Sequence, residues 1–125
     1  IDALFLNEDC HMHNIAVLQN SAGKYSLCPV FDNGLALLSD TTMDYPMGGD
    51  VIDLIPQARA KTISVDFDEQ LEAVESLYGQ TLRFSYNEHI ISDLLEKELY
   101  YPNEIKIRVR DILLQQRRKY QYLFR

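Results

Sequence analysis

Residues that can hold a metal ion are concentrated in two short stretches near the start of this 125-residue chain. The first is Asn7-Glu8-Asp9-Cys10-His11-Met12-His13-Asn14, and the second is Phe31-Asp32-Asn33-Gly34. The carboxylates of Asp9 and Asp32 and the amide carbonyl of Asn14 are hard oxygen donors, the kind that Mg2+ prefers. These types in this order point to a metal and phosphate site. A second chemistry is open to Cys10, His11 and His13, whose softer donors suit zinc or copper. Against it, the Cys-His-x-His run lacks the paired, separated ligands of zinc folds, and the remaining histidine, His89, is far away in sequence.

Something must bring the two stretches together, and the residues between them have the character of a β-hairpin. Ile15 to Leu18 and Tyr25 to Val30 are apolar, β-prone runs separated by Gln19-Asn20-Ser21-Ala22-Gly23-Lys24, a loop-like composition. Paired strands lie about 5 Å apart, so the closed hairpin predicts Asn14 and Asp32 side by side at its base, with Asp9 on the preceding loop. Cys28, inside the second apolar run, reads as a small core residue.

The order D-x-x-x-x-N, short hairpin, D-x-G resembles the protein-kinase superfamily. Two departures narrow the resemblance. His11 stands where ordinary protein kinases have Lys, and Asn7 stands where they have the His of His-Arg-Asp. The pattern N-x-D-x-H-x-x-N followed by P-V-F-D-N-G is similar to the C-terminal catalytic region of the HipA-like serine/threonine kinases, toxins of bacterial toxin–antitoxin pairs. Aminoglycoside phosphotransferases share D-x-H-x-x-N. The resemblance is specific over residues 1 to 40, while Ala60-Lys61 and Phe67-Asp68-Glu69-Gln70 are only loosely similar.

The resemblance implies ATP and Mg2+ as cofactors and a protein Ser or Thr hydroxyl as acceptor. Asp9 would be the base, Asn14 and Asp32 would hold the metal against the nucleotide phosphates, and His11 would lie near the γ-phosphate. A DNA-binding antitoxin is the partner that the family implies. No glycine-rich loop or strand Lys precedes Asp9 in this sequence. The chain is therefore expected to be the later half of a kinase, inactive alone, and to self-associate or bind its missing half. Small-molecule phosphotransfer and a non-enzymatic half-kinase interaction module are the alternatives.

The expected fold is α+β, a mainly helical portion of a kinase-like C-lobe with one hairpin beside the catalytic loop. Residues 1–60 would carry the catalytic loop, hairpin, D-x-G and an activation-like segment, and 61–125 a helical subdomain, the two forming one unit. Ser39 to Asp50 reads as a polar, turn-rich connection in which Ser39, Thr41 and Thr42 offer hydroxyls, and Val51 to Ile55 as a helical turn ending at Pro56. Arg59 and Lys61 are placed to pair with a phosphate or with nearby carboxylates.

Three helices account for the remainder. Asp66-Phe67-Asp68-Glu69 is a capping-box-like start leading to Phe67, Leu71, Val74 and Tyr78 at helical spacing, with Gly79 as the stop. Ser85-Tyr86-Asn87-Glu88 reads as a second capping box before Ile91, Leu94, Leu95 and Leu99. Ile105, Val109, Ile112, Leu113, Tyr120 and Leu123 trace a long amphipathic helix. His89 is expected at the surface or in a cap.

Composition bounds what remains. With 46% hydrophobic residues the chain can bury one core. No apolar run reaches the length of a membrane span and no signal segment opens the chain, which predicts a soluble, cytoplasmic protein with its two cysteines reduced. From Tyr101 onward seven basic residues face two acidic ones, a balance of +5, so the net charge of −7 leaves −12 on the first hundred residues. So acidic a body excludes non-specific nucleic-acid binding. The basic C-terminal helix is read as a solvated face offsetting that charge, or as a contact for DNA or an acidic partner.

Overall fold

The computed structural model describes residues 1–124; Arg125, one of the seven basic residues of the C-terminal segment, lies outside the described residues. The chain opens with α1 (Asp2–Phe5) and a loop bearing one 3-10 turn, Met12–Asn14. Strands β1 (Val17–Gln19) and β2 (Tyr25–Leu27) follow, then α2 (Val51–Leu54), α3 (Phe67–Tyr78), α4 (Glu88–Lys97) and α5 (Asn103–Lys119). Mainly helical with one antiparallel pair of strands, the arrangement is of the α+β kind. Among the described residues, no helix is long and apolar enough to cross a membrane.

Helices α3 and α4 each start at a side chain that covers free backbone amides. The Asp66 carboxylate accepts from the N–H groups of Asp68 at 2.8 Å and Glu69 at 3.2 Å, as an N-cap residue should. The reciprocal half of the box is relayed. Ser64 Oγ accepts from Asp66 N–H at 3.0 Å and donates to Glu69 Oε2 at 2.6 Å. Gly79 ends α3 at φ +73°, in the left-handed region that costs glycine least. For α4 the cap is Asn87, whose side chain accepts from Ile90 N–H at 3.0 Å, and not the predicted Ser85. That helix stops at Lys97, leaving Leu99 beyond it and 83% exposed; only Ile91 of the predicted stripe is fully buried. Pro102 sits immediately before α5, where a missing N–H is harmless and its fixed φ suits helix entry.

The core gathers Leu4, Leu6, Leu38, Leu54, Phe67 and Leu71 around Ile112 of α5, which is fully buried. Along α5 the most deeply buried line is Arg108, Ile112, Gln116 and then Tyr120, spaced four residues apart. Of the predicted apolar stripe, Ile112, Tyr120 and Leu123 are buried as expected, while Ile105, Val109 and Leu113 are only half-buried. Two polar side chains hold that line for different reasons. Gln116 donates to a backbone carbonyl of α1, whereas the guanidinium of Arg108 reaches only Met47 Sδ, at 3.2 Å, leaving Nε and Nη2 without a partner. After Lys119 the chain turns through Gln121–Leu123, and Phe84 N–H donates to Leu123 O at 2.9 Å, tying the C-terminus to the segment before α4.

The basic residues of α5 are largely used within the chain. Arg110 pairs with Glu88, Lys119 with Asp68 at 2.8 Å, and Lys106 donates to Glu98 O. Arg117 donates to Tyr86 O at 3.2 Å and lies over the Phe124 ring. His89 is exposed, as expected.

The hairpin forms, in the register Val17 with Leu27, Leu18 with Ser26 and Gln19 with Tyr25. Asn20 organises its turn by accepting from Ala22 N–H at 2.9 Å and Lys24 N–H at 3.0 Å. All six strand residues are exposed, so the apolar runs do not enter the core. Cys28 accordingly lies just past β2, half-buried, rather than inside a packed strand.

Candidate functional site

Positioning of the first motif begins with α1, whose last turn delivers the chain directly into it. Leu6 closes that helix at φ +51°, an uncommon conformation for a residue bearing a Cβ. Asp32, Leu37 and Leu38 also adopt positive φ, at 58°, 56° and 55°. Among the described residues, four of the five such non-glycine positions therefore lie in or close to the two motif stretches, the kind of place where folded proteins store strain.

The two stretches dock on each other directly. Asn7 Nδ2 donates to Asn33 Oδ1 at 3.2 Å, Glu8 N–H to Leu35 O at 3.5 Å, and Leu37 N–H to Phe5 O at 2.8 Å. Within the first stretch, Asn7 Oδ1 accepts from Asp9 N–H at 3.2 Å. Asn14 Nδ2 donates to Asp9 O at 2.9 Å. That bond commits the amide nitrogen of Asn14 and leaves its carbonyl oxygen available as a hard ligand. Asp32 is exposed, and among the described residues no hydrogen bond or ion pair engages its carboxylate. Oxygen donors held in this way suit Mg2+ in type. The chain brings Asp9, His11 and Asn14 together on one loop and sets the loop of Asp32 against it. It does not pair Asn14 with Asp32. The ladder continues to Cys28 N–H on Ala16 O, 2.8 Å; the same register carried further would put Val30, not Asp32, opposite Asn14.

His11 takes part through both ring nitrogens. Nδ1 accepts from His13 N–H at 3.2 Å, so in the neutral ring the proton sits on Nε2. Nε2 is 3.7 Å from Asp9 Oδ1. The thiol of Cys10 is pushed up to about 11, first by burial and then by its hydrogen bond to Asp2. It stays protonated at neutral pH, which leaves it a poor nucleophile.

A third segment, Ala58 to Thr62, straps the Asp9 loop. Arg59 N–H donates to Glu8 Oε1 at 2.7 Å, and the Tyr45 hydroxyl donates to the same oxygen at 2.7 Å. Lys61 Nζ lies 2.5 Å from Asp9 Oδ1. Thr62 Oγ1 donates to Cys10 O. Three consecutive loop residues, Glu8, Asp9 and Cys10, are thus each held by the strap. The Lys61 hydrogen bond, helped by the charges of Lys61 and His11 and opposed by partial burial, holds the Asp9 carboxyl below its ordinary range. A carboxylate is one of the two kinds of partner that the sequence left open for Lys61; which carboxylate was not legible. Glu8, Tyr45, Thr62 and Asn33 carried no comparable signal, since each is a common residue type whose partner is remote in the chain.

A cavity of about 700 Å³ opens beside the docked loops, its walls including Asn7, Asn33, Gly34, Leu37, Tyr101 and Arg108. Its size is that of a small-molecule site. Neither Asp9, His11, Asn14 nor Asp32 lines it, so the candidate chemistry lies outside this cavity. No family model, curated protein or solved structure matches the chain.

Proposed function

We propose that the protein transfers the γ-phosphoryl group of ATP to a Ser or Thr hydroxyl of a protein substrate, the activity of the HipA-like kinases its motifs resemble. The observation that carries this reading is the docking of the D-x-H-x-x-N loop on the D-N-G loop through Asn7 Nδ2 and Asn33 Oδ1 at 3.2 Å. Loops so joined put a candidate base and two hard oxygen ligands on adjoining segments, as phosphoryl transfer requires. In this reading Asp9 orients the acceptor hydroxyl and takes its proton. Asn14, through its free carbonyl oxygen, and Asp32, through its uncommitted carboxylate, hold Mg2+. His11, beside Asp9, faces the transferred group. Mg2+ supplies neutralisation of phosphate charge when bound. A DNA-binding antitoxin is the partner class that goes with this reading.

The test is transfer from γ-labelled ATP by the full-length protein, offered protein acceptors and aminoglycosides in parallel. Magnesium-dependent labelling of protein Ser or Thr, abolished by Asp32→Ala with the fold intact, supports the proposal. Undiminished transfer by Asp32→Ala, or labelling confined to aminoglycosides, overturns it.

A further inference from the structure

Lys61 is 52 residues away from Asp9 in sequence and reaches it by the strap, not by any local turn. Its ammonium takes Oδ1 at 2.5 Å, and the backbone on either side of it is pinned as well, at Arg59 N–H and at Thr62 Oγ1. Among the described residues, the other carboxylate oxygen, Oδ2, has no hydrogen bond. Three titratable groups stand around this carboxylate: Lys61 from the strap, and His11 and Cys10 from its own loop. Glu8, the nearest acid in sequence, is occupied by Tyr45 and Arg59.

We infer that Lys61 is a positioning residue for Asp9, clamping one carboxylate oxygen so that the other is presented in fixed orientation to the acceptor hydroxyl. This rests on the kinase reading of the site. An aspartate side chain free to rotate about χ1 and χ2 would offer either oxygen in many directions, and catalysis by positioning loses rate with such freedom. Lys61 supplies the clamp from an element that belongs to neither motif. An arginine could reach the same oxygen, whereas a short uncharged side chain could not.

The experiment compares wild type, Lys61→Ala and Lys61→Arg on the full-length protein in steady-state phosphoryl transfer, with circular dichroism to establish that each variant is folded. Lys61→Ala should lower kcat about 10- to 100-fold, the scale of losing a group that orients a reactive one, with KM for ATP little changed. Lys61→Arg should restore kcat. If folded Lys61→Ala keeps the wild-type kcat, or if Lys61→Arg is as slow as Lys61→Ala, the inference fails while the kinase reading stands. If the wild-type protein transfers no phosphoryl group at all, the kinase reading fails and the positioning role falls with it.

Discussion

Gln116 and Ala3 are joined across the whole length of the chain: the buried amide of Gln116 donates from Nε2 to the carbonyl of Ala3 at 2.6 Å. Ala3 lies in α1, which is only one turn long and feeds the Asp9 loop. Gln116 is 1% exposed and sits on the buried line of α5. So short a helix cannot hold itself in water, and this bond anchors it to the longest helix of the chain.

Replacing Gln116 by Leu should therefore leave a buried carbonyl without a donor and cost about 1–3 kcal/mol. Denaturant unfolding measures the loss. Faster amide exchange confined at first to residues 2–9 would show that the damage reaches the candidate site through α1.

Arg108 makes the opposite prediction. It is 6% exposed, its Nε and Nη2 have no partner, and burial pushes its guanidinium below the usual arginine range. A buried charge without a carboxylate is a net cost, so Arg108→Met, similar in length and apolar, should raise stability by about 1 kcal/mol or more. A loss of stability in thermal unfolding would mean that the guanidinium has a partner in solution.

Acid sensitivity follows from Asp9 and Asp68. Burial alone would raise the Asp68 carboxyl, but hydrogen bonds from Lys119 and Tyr120 outweigh it and the group titrates low. Both carboxylates are depressed in the folded state, so their contribution is present above the unfolded value near 3.9. It is lost as pH falls through the folded values. Lys119→Ala should shift the onset of acid unfolding to higher pH; an unchanged midpoint would contradict this.

At alkaline pH the tyrosines act with the other sign. Burial, and then the hydrogen bond to Asp68, push the Tyr120 hydroxyl far up, and burial puts Tyr86 at about 12. Raised acids stabilise fully below their unfolded value near 10 and lose that contribution as pH rises toward the folded one. Tyr120→Phe keeps the packing, removes the 2.6 Å bond to Asp68, and should cost about 0.5–1.5 kcal/mol at neutral pH. It should also blunt the fall in stability above pH 10, as circular dichroism against pH would record.

Much of the chain was legible in its sequence because the signals are local. The cap at Asp66 and the stop at Gly79 each depend on residues within one turn, and α3 runs between them. The hairpin was legible for the same reason, from two β-prone runs around a turn in which Asn20 bonds residues two and four ahead. The order Asp9, Asn14, Asp32 is likewise a linear fact. What a linear pattern could not say is which faces would be covered. Apolar character in Val17, Leu18, Tyr25 and Leu27 suggested burial, yet all four stay at least half exposed. On α5 the buried line passes through Gln116, which a remote partner, the Ala3 carbonyl, satisfies, and through Arg108, which meets the equally remote Met47 Sδ. The candidate site divides in the same way. Residue types and spacing named Asp9, His11, Asn14 and Asp32, but the strap that brings Lys61 onto Asp9 across 52 residues is a product of tertiary packing, where partners separated by long loops meet only once the core has closed.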